Sequence, residues 1–267
     1  GNVQSIFRYP GGKSSPEIRK WILSFMPEGT KEYREPFVGG GGVYFGLGSP
    51  SGDGLFKEMT PKRRWINDKH DGLIEVYRAL RNRPDEFIAA CKAIEPARED
   101  EPQTEEGPRG GKPTNARLKS VFESLCLNEE CDQALRYYFV NRTVHGSGRV
   151  NYDIPSRLYF SNPEGWNITE DNRLEEAAEL IAGTKITCGD YEQLFTTNGD
   201  NVWIYADPPY AVNTDLTPSS QLYQHSFTRE DHIRLAEVVA NCKHRVAVSY
   251  DDDDQGFIRS LYPVGKF

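Results

Sequence analysis

Val202–Ala206 (VWIYA) is apolar or aromatic at every position and ends abruptly at Asp207-Pro208-Pro209-Tyr210. A strand with one wet face alternates polar and apolar residues. An uninterrupted run fits a strand covered on both faces, as in the parallel sheet of an α/β protein. Proline pushes its predecessor toward extended backbone, so Asp207 and Pro208 project rigidly from the carboxyl end of this strand. A second such run, Val246–Tyr250 (VAVSY), follows, and between the two His232, Leu235, Ala236 and Val239 fall on one helical face. Strand, helix and strand in this order fit a parallel sheet covered on both faces.

The amino-terminal third has the same grammar. Arg34–Phe45 (REPFVGGGGVYF) offers a short strand-like lead, four glycines and an apolar segment able to open a helix, and Arg64–Asn67 offers a second strand ending at Asp68. From Leu73 the period becomes helical. Leu73, Ile74, Tyr77 and Leu80 make one stripe; Leu118, Val121, Phe122 and Leu125 make another; Leu135 and Phe139 continue a third. Residues 146–165 read as loops, Arg173–Ala182 as a helix and Gln255–Leu261 as a last helix, with a short run at Lys185–Thr187 before the next glycine. The expected organisation is an α/β core, residues 1–71 and 173–267, interrupted by a helical insertion at 72–172.

Charge narrows the partners less than it first suggests. The net charge of −8 disfavours a phosphate-rich partner, but residues 95–111 hold six acids against two arginines and supply about half of the excess. That Pro/Gly-rich segment reads as a mobile surface loop. The stretch 136–157 carries Arg136, Arg142, Arg149 and Arg157 against Asp153 alone, the makings of a local basic face. The five cysteines are odd in number, lack a Cys-x-x-Cys pair and read as free thiols; with the histidines scattered, no metal is expected. No apolar run is long enough to span a bilayer, and residues 1–8 lack the pattern of a signal peptide, so the expected address is cytoplasmic, with no membrane partner.

Four segments carry chemistry. Asp207 and Pro208 would place a carboxylate and a backbone carbonyl at the sheet edge where α/β proteins bind ligands, with Tyr210 as an aromatic platform. Two acceptors of this kind suit an amine conjugated to a ring: by taking its hydrogens they favour the pyramidal amine and stabilise the charge that grows as it attacks a methyl group. A strand-ending turn is the alternative reading of the same residues. The glycine turn Gly39–Gly42 allows close backbone approach to a ligand, here the methionyl and sulfonium part of S-adenosylmethionine, and Asp68 would accept ribose hydroxyls. A flexible loop and a helix N-cap are the respective alternatives. Lys13, after Tyr9-Pro10-Gly11-Gly12, would bind a carboxylate or phosphate as a point charge, but the first glycine of a phosphate-binding loop is missing, which disfavours ATP. Asp190, in Cys188-Gly189-Asp190-Tyr191, would accept the amine of the cofactor's adenine with Tyr191 beside the ring, unless the segment is a surface turn.

In this order the segments resemble DNA adenine-N6 methyltransferases of the Dam type. The match runs from Tyr9–Lys13 through Glu35–Phe45, Ile66–Asp68, Gly189–Tyr191 and Asp207–Tyr210 to Phe227, Asp231, Arg234–Ala236 and Val248-Ser249. The resemblance implies a Rossmann-like methyltransferase core with an inserted helical DNA-recognition domain, S-adenosylmethionine as cofactor and double-stranded DNA as partner. It implies a monomeric or weakly dimeric protein of a bacterial cytoplasm, host-encoded or phage-encoded. By the same similarity Tyr9, Lys13, Phe37, Gly39, Gly40, Asp68, Asp190 and Tyr191 are cofactor-site candidates, and Asp207, Pro208, Pro209 and Tyr210 form the catalytic motif. Arg142, Arg149 and Arg157 are the DNA-contact candidates. Residues 141–149 depart from the family pattern, so no target sequence carries over. An RNA or other amine methyltransferase and a non-catalytic DNA-binding module are the alternatives. Relatives also add a final pair of strands after the one at Val246, for which Tyr262–Phe267 leaves too few residues; a further C-terminal segment is expected, with altered closure of the sheet as the alternative.

Overall fold

The computed structural model describes residues 5–8, 15–49, 60–106, 112–144, 158–168, 171–209, 227–250 and 256–263. Five strands form one parallel sheet: β1 (Glu32–Glu35), β2 (Arg63–Asp68), β3 (Lys185–Cys188), β4 (Val202–Ala206) and β5 (Arg245–Val248), in the order β3-β2-β1-β4-β5. Strand order reverses between β1 and β4. All five carboxyl ends share one edge, and the crevice at such a reversal is where open α/β sheets take ligands.

β4 is buried throughout and splits its side chains by strand alternation. Trp203 and Tyr205 join the larger apolar cluster, whereas Val202, Ile204 and Ala206 meet Leu235 and Val239 on the opposite face. The covering helix on that second face is α8 (Arg229–Asn241, labelled in the chain order given below), started by a reciprocal capping box between Thr228 and Asp231. β5 is only half-buried, because it lies at the sheet edge of the described residues rather than inside it.

The helices in chain order are α1 (Pro16–Leu23), α2 (Asp71–Asn82), α3 (Pro84–Lys92), α4 (Ala116–Leu127), α5 (Gln133–Thr143), α6 (Arg173–Ile181), α7 (Glu192–Thr196), α8 and α9 (Phe257–Leu261). α2 buries the whole predicted stripe of Leu73, Ile74, Tyr77 and Leu80. It touches β2 and β3 and packs on α3, α5 and α6. The helical region therefore shares its apolar cluster with the sheet: Tyr77, Tyr138, Phe139 and Trp166 belong to the same cluster as Tyr33 and Tyr205. Asp132 sets the start of α5 by accepting from the amides of Ala134 and Leu135, and Arg83 grips both its oxygens at 2.8 and 2.9 Å. After the glycine turn the chain makes a 3-10 turn at Tyr44–Leu47 rather than the predicted α-helix.

The acidic segment differs from the mobile loop expected of it. Glu101 accepts from Arg117 (2.9 and 3.0 Å), Asn115 (2.9 Å) and Arg98 (3.2 Å), while Arg117 also donates to the carbonyls of Glu95 and Pro96. These bonds from Arg117 and Asn115 pull the Glu101 carboxyl down to about 2. Composition alone hid this anchor, because Arg117, the cation that closes it, lies beyond the acidic run. Residues 107–111 lie outside the described set.

Candidate active site at the switch point

Three loops at the sheet edge are tied together by one buried amide. Asn67, 1% exposed, donates to the carbonyls of Pro36 (3.1 Å) and Gly189 (3.0 Å), and its oxygen accepts from Thr187 Oγ1 at 2.8 Å. Its carbonyl takes the Val38 amide at 3.0 Å. The turns after β1, β2 and β3 thus form one rigid unit. The neighbouring Asp68 continues it: Oδ2 accepts from the Gly39 amide and Oδ1 from the His70 amide, both at 2.9 Å. Asp68 therefore bridges the glycine turn to the start of α2 instead of merely capping that helix. Burial raises its pKa, opposed by the amides of His70 and Gly39.

The glycine turn is shaped from below. Tyr77 Oη donates to the Gly39 carbonyl at 2.7 Å, Ser5 Oγ to Gly40 at 2.5 Å and Arg19 Nε to Gly42 at 2.6 Å. Gly41 sits at φ +75°, and a Cβ there would come within 2.7 Å of the Phe45 ring and 2.9 Å of Tyr77 Oη. Only glycine fits. Phe37 stands half-buried beside Tyr191 and Phe227, with ring centres 5.2 and 5.6 Å away. Tyr191 is buried, and its hydroxyl has no hydrogen-bond partner among the described residues.

Asp207 emerges half-exposed from β4, with Pro208 buried and Pro209 exposed. Ser249, just after β5, donates to Asp207 Oδ1 at 2.9 Å and shares its own oxygen with the Tyr205 phenol at 2.7 Å. Tyr210, Tyr9, Lys13, Arg149 and Arg157 lie outside the described residues. The approach to Tyr9 is nevertheless fixed. Asn141 on α5 brackets Arg8 through both its amide and carbonyl, at 3.0 and 2.8 Å, and Tyr138 Oη donates to the Ile6 carbonyl at 2.8 Å.

Two site features were missed in the sequence. One is the Asn67 hub, since an asparagine at a strand end carries no pattern. The other is Glu35, 3% exposed at the end of the central strand, which accepts a hydrogen bond from the Tyr33 phenol. Burial pushes its carboxyl well above the usual range; the Tyr33 bond and Arg19 oppose the shift, and the charges of Asp207 and Asp68 add to it. A folded-state pKa above the unfolded value means that the folded protein binds more protons through that interval, so stability falls as pH rises from the ordinary carboxylate range toward the raised value. Glu35→Gln should remove this loss. Urea midpoints of the variant and the parent should diverge in favour of the variant as pH increases from about 5 to 8; a gap that stays constant would show that Glu35 does not change protonation there.

Arg142 is not the exposed cation expected of it. It is 8% exposed and donates to the Gly165 carbonyl (2.9 Å) and to Asn167 Oδ1 (3.1 Å), tying α5 to the 3-10 turn Pro163–Gly165. Its neighbours in sequence gave no sign of this, because the partners lie more than twenty residues away. Asp190 is half-exposed and engaged by Arg234, whose hydrogen bonds lower its pKa.

Among the described residues no group of three or more His, Cys, Asp or Glu could hold a metal ion, and no helix is long and apolar enough to cross a membrane. Comparison with known proteins gives the same reading as the sheet edge. Residues 9–264 match the family model for D12 class N6 adenine-specific DNA methyltransferases. The chain is 27% identical over 246 residues to the type II methyltransferase M.MjaIII of Methanocaldococcus jannaschii, covering 88% of this chain and 78% of that one. It is 25% identical to the type II methyltransferase M.CviBI of Paramecium bursaria Chlorella virus NC1A, covering 97% and 86%. It is 22% identical to the DNA adenine methylase of Escherichia coli, covering 98% and 85%. With a parallel sheet whose reversal point gathers the glycine turn, Asp68 and Asp207, the chain belongs to the D12 class of N6-adenine-specific DNA methyltransferases and is an S-adenosylmethionine-dependent enzyme.

Proposed function

We propose that the Asp207-Pro208-Pro209-Tyr210 segment carries out methyl transfer to adenine N6 in double-stranded DNA, and that the turns after β1, β2 and β3 hold the donor. The observation that carries this reading is the fixed carboxylate: Asp207 stands at the switch point with Oδ1 oriented by Ser249, across from the Gly39–Asp68 bridge. S-adenosylmethionine, when bound, supplies a methyl group activated by its sulfonium.

The residues present fit that donor. Asp68 keeps the glycine turn closed through one oxygen and has acceptor capacity suited to ribose hydroxyls. Phe37 and Tyr191 offer aromatic walls, Asp190 an acceptor, and Gly39 and Gly40 a surface without side chains. Tyr9 and Lys13 are assigned to the methionyl end, with Lys13 pairing its carboxylate. On the acceptor side, Asp207 and the Pro208 carbonyl take hydrogens from N6, which localises the nitrogen lone pair and stabilises positive charge as the bond forms. Tyr210 stacks on a base drawn out of the duplex, the usual requirement for chemistry on a paired base.

Residues 72–172 are assigned to target recognition, flanked by the two parts of the core, with Arg149 and Arg157 as phosphate or base contacts; Arg142 is left to its internal role. The protein is read as acting in a bacterial cytoplasm, as a monomer or weak dimer. Incubating it with mixed-sequence DNA and S-adenosylmethionine, then sequencing the modified positions, should reveal N6-methyladenine within a defined sequence context. Methylation of RNA alone, or DNA binding with no transfer, would overturn the reading.

A further inference from the structure

Arg234, on α8, makes a forked contact with the turn after β3. Its Nη1 donates to Asp190 Oδ1 at 2.9 Å, and its Nη2 donates to Asp190 Oδ2 at 2.8 Å and to Glu192 Oε2 at 2.9 Å. The guanidinium carbon also lies 4.8 Å from the centre of the Tyr191 ring. The Glu192 amide donates to Asp190 Oδ2 at 3.0 Å. One planar group thus holds three consecutive residues, 190 to 192, in a single arrangement.

Counting acceptor positions gives this contact a consequence. An ionised carboxylate offers about four of them, two on each oxygen. At Asp190, Oδ2 is filled by Arg234 and the Glu192 amide, whereas Oδ1 receives Arg234 alone. The remaining capacity is on Oδ1. As a half-exposed ion pair the contact adds little stability, but its bidentate geometry fixes direction. Without Arg234, Asp190 and Glu192 would face each other as like charges, and the carboxylate would be free to rotate.

We propose that Arg234 is a positioning residue which aims Asp190 Oδ1 at the donor's purine and so makes the site selective for a 6-amino over a 6-oxo ring. This inference rests on the reading of Gly189–Tyr191 as the wall of the donor's adenine pocket. A 6-amino group donates a hydrogen to a fixed acceptor, whereas a 6-oxo group presents a second acceptor and is repelled.

The test compares S-adenosylhomocysteine with its 6-oxo counterpart, S-inosylhomocysteine, by calorimetry on the full chain. The parent should prefer the amino compound by about tenfold or more, the scale of a hydrogen bond to a charged group. In Arg234→Met that preference should fall to about threefold or less, with the thermal midpoint nearly unchanged. A purely structural role would weaken both ligands equally and lower the midpoint. If the parent shows no preference, the reading of Asp190 fails and the proposal with it. If the parent prefers the amino compound and Arg234→Met does so equally, Asp190 stands and Arg234 is overturned. Arg234→Lys, which keeps the charge but not the planar fork, is expected to lose the preference as well, and it carries the same comparison if the methionine variant does not fold.

Discussion

Asp207→Ala should lower methyl transfer by at least about 10²-fold, the usual scale for removing an electrostatic partner of the transition state, while donor affinity stays within a few-fold of the parent. The Asp207 side chain is half-exposed and lies beyond the buried part of β4, so its loss opens no cavity, and Pro208 still enforces extended backbone at the preceding position. The substitution removes the partner of the Ser249 hydroxyl and, on the proposed reading, one acceptor for N6. The turns after β1, β2 and β3 are linked to one another through Asn67 and Asp68. Single-turnover transfer of a labelled methyl group to DNA, paired with calorimetric titration of the donor, separates the two quantities. A variant whose transfer rate stays within a few-fold of the parent would remove Asp207 from the chemistry.

The largest effect on stability is expected at Arg34. This side chain is 1% exposed in the central strand; it pairs with Glu32 and donates to the carbonyls of Leu194 (2.9 Å), Thr197 (2.7 Å) and Asn198 (2.8 Å). Its guanidinium also lies over the Trp65 ring. Methionine would fill much of the same space but leave a carboxylate and three carbonyls without this donor. Breaking one side of a buried pair typically costs about 3–5 kcal/mol, and Arg34→Met should lose about that much in urea unfolding. A loss below about 1 kcal/mol would mean that water or a shifted α7 satisfies those acceptors.

The fold was legible where side chains repeat. The stripe at Leu73–Leu80 and the face made by His232, Leu235, Ala236 and Val239 follow from periodicity, the strand at 202–206 from an unbroken apolar run, and all are buried as those patterns require. The segments that build the sheet edge were legible too, because glycine and proline leave marks in a sequence that independent side chains do not. What escaped was pairing at long range. Arg142 looks like a surface cation until Gly165 and Asn167 are placed beside it, and the 95–106 segment looks mobile until Arg117 closes on Glu101. Glu35 reads as part of a glycine-turn motif, yet burial and nearby acids decide its protonation. Each of these depends on residues that only the folded sheet brings together.

The order of strands also governs when the enzyme can first become active during its own synthesis. The glycine turn and Asp68 leave the ribosome early and can pair through β1 and β2, but β3 follows only after the helical region, and β4 with Asp207 later still. Contacts between such distant segments form slowly, because a long loop must close before they contribute. Until β4 slots in beside β1, that strand keeps an open edge. A nascent chain cut between residues 192 and 201 would, on the proposed reading, carry the turns assigned to the donor but not Asp207, so copies unfinished at that point are expected to leave DNA unmarked.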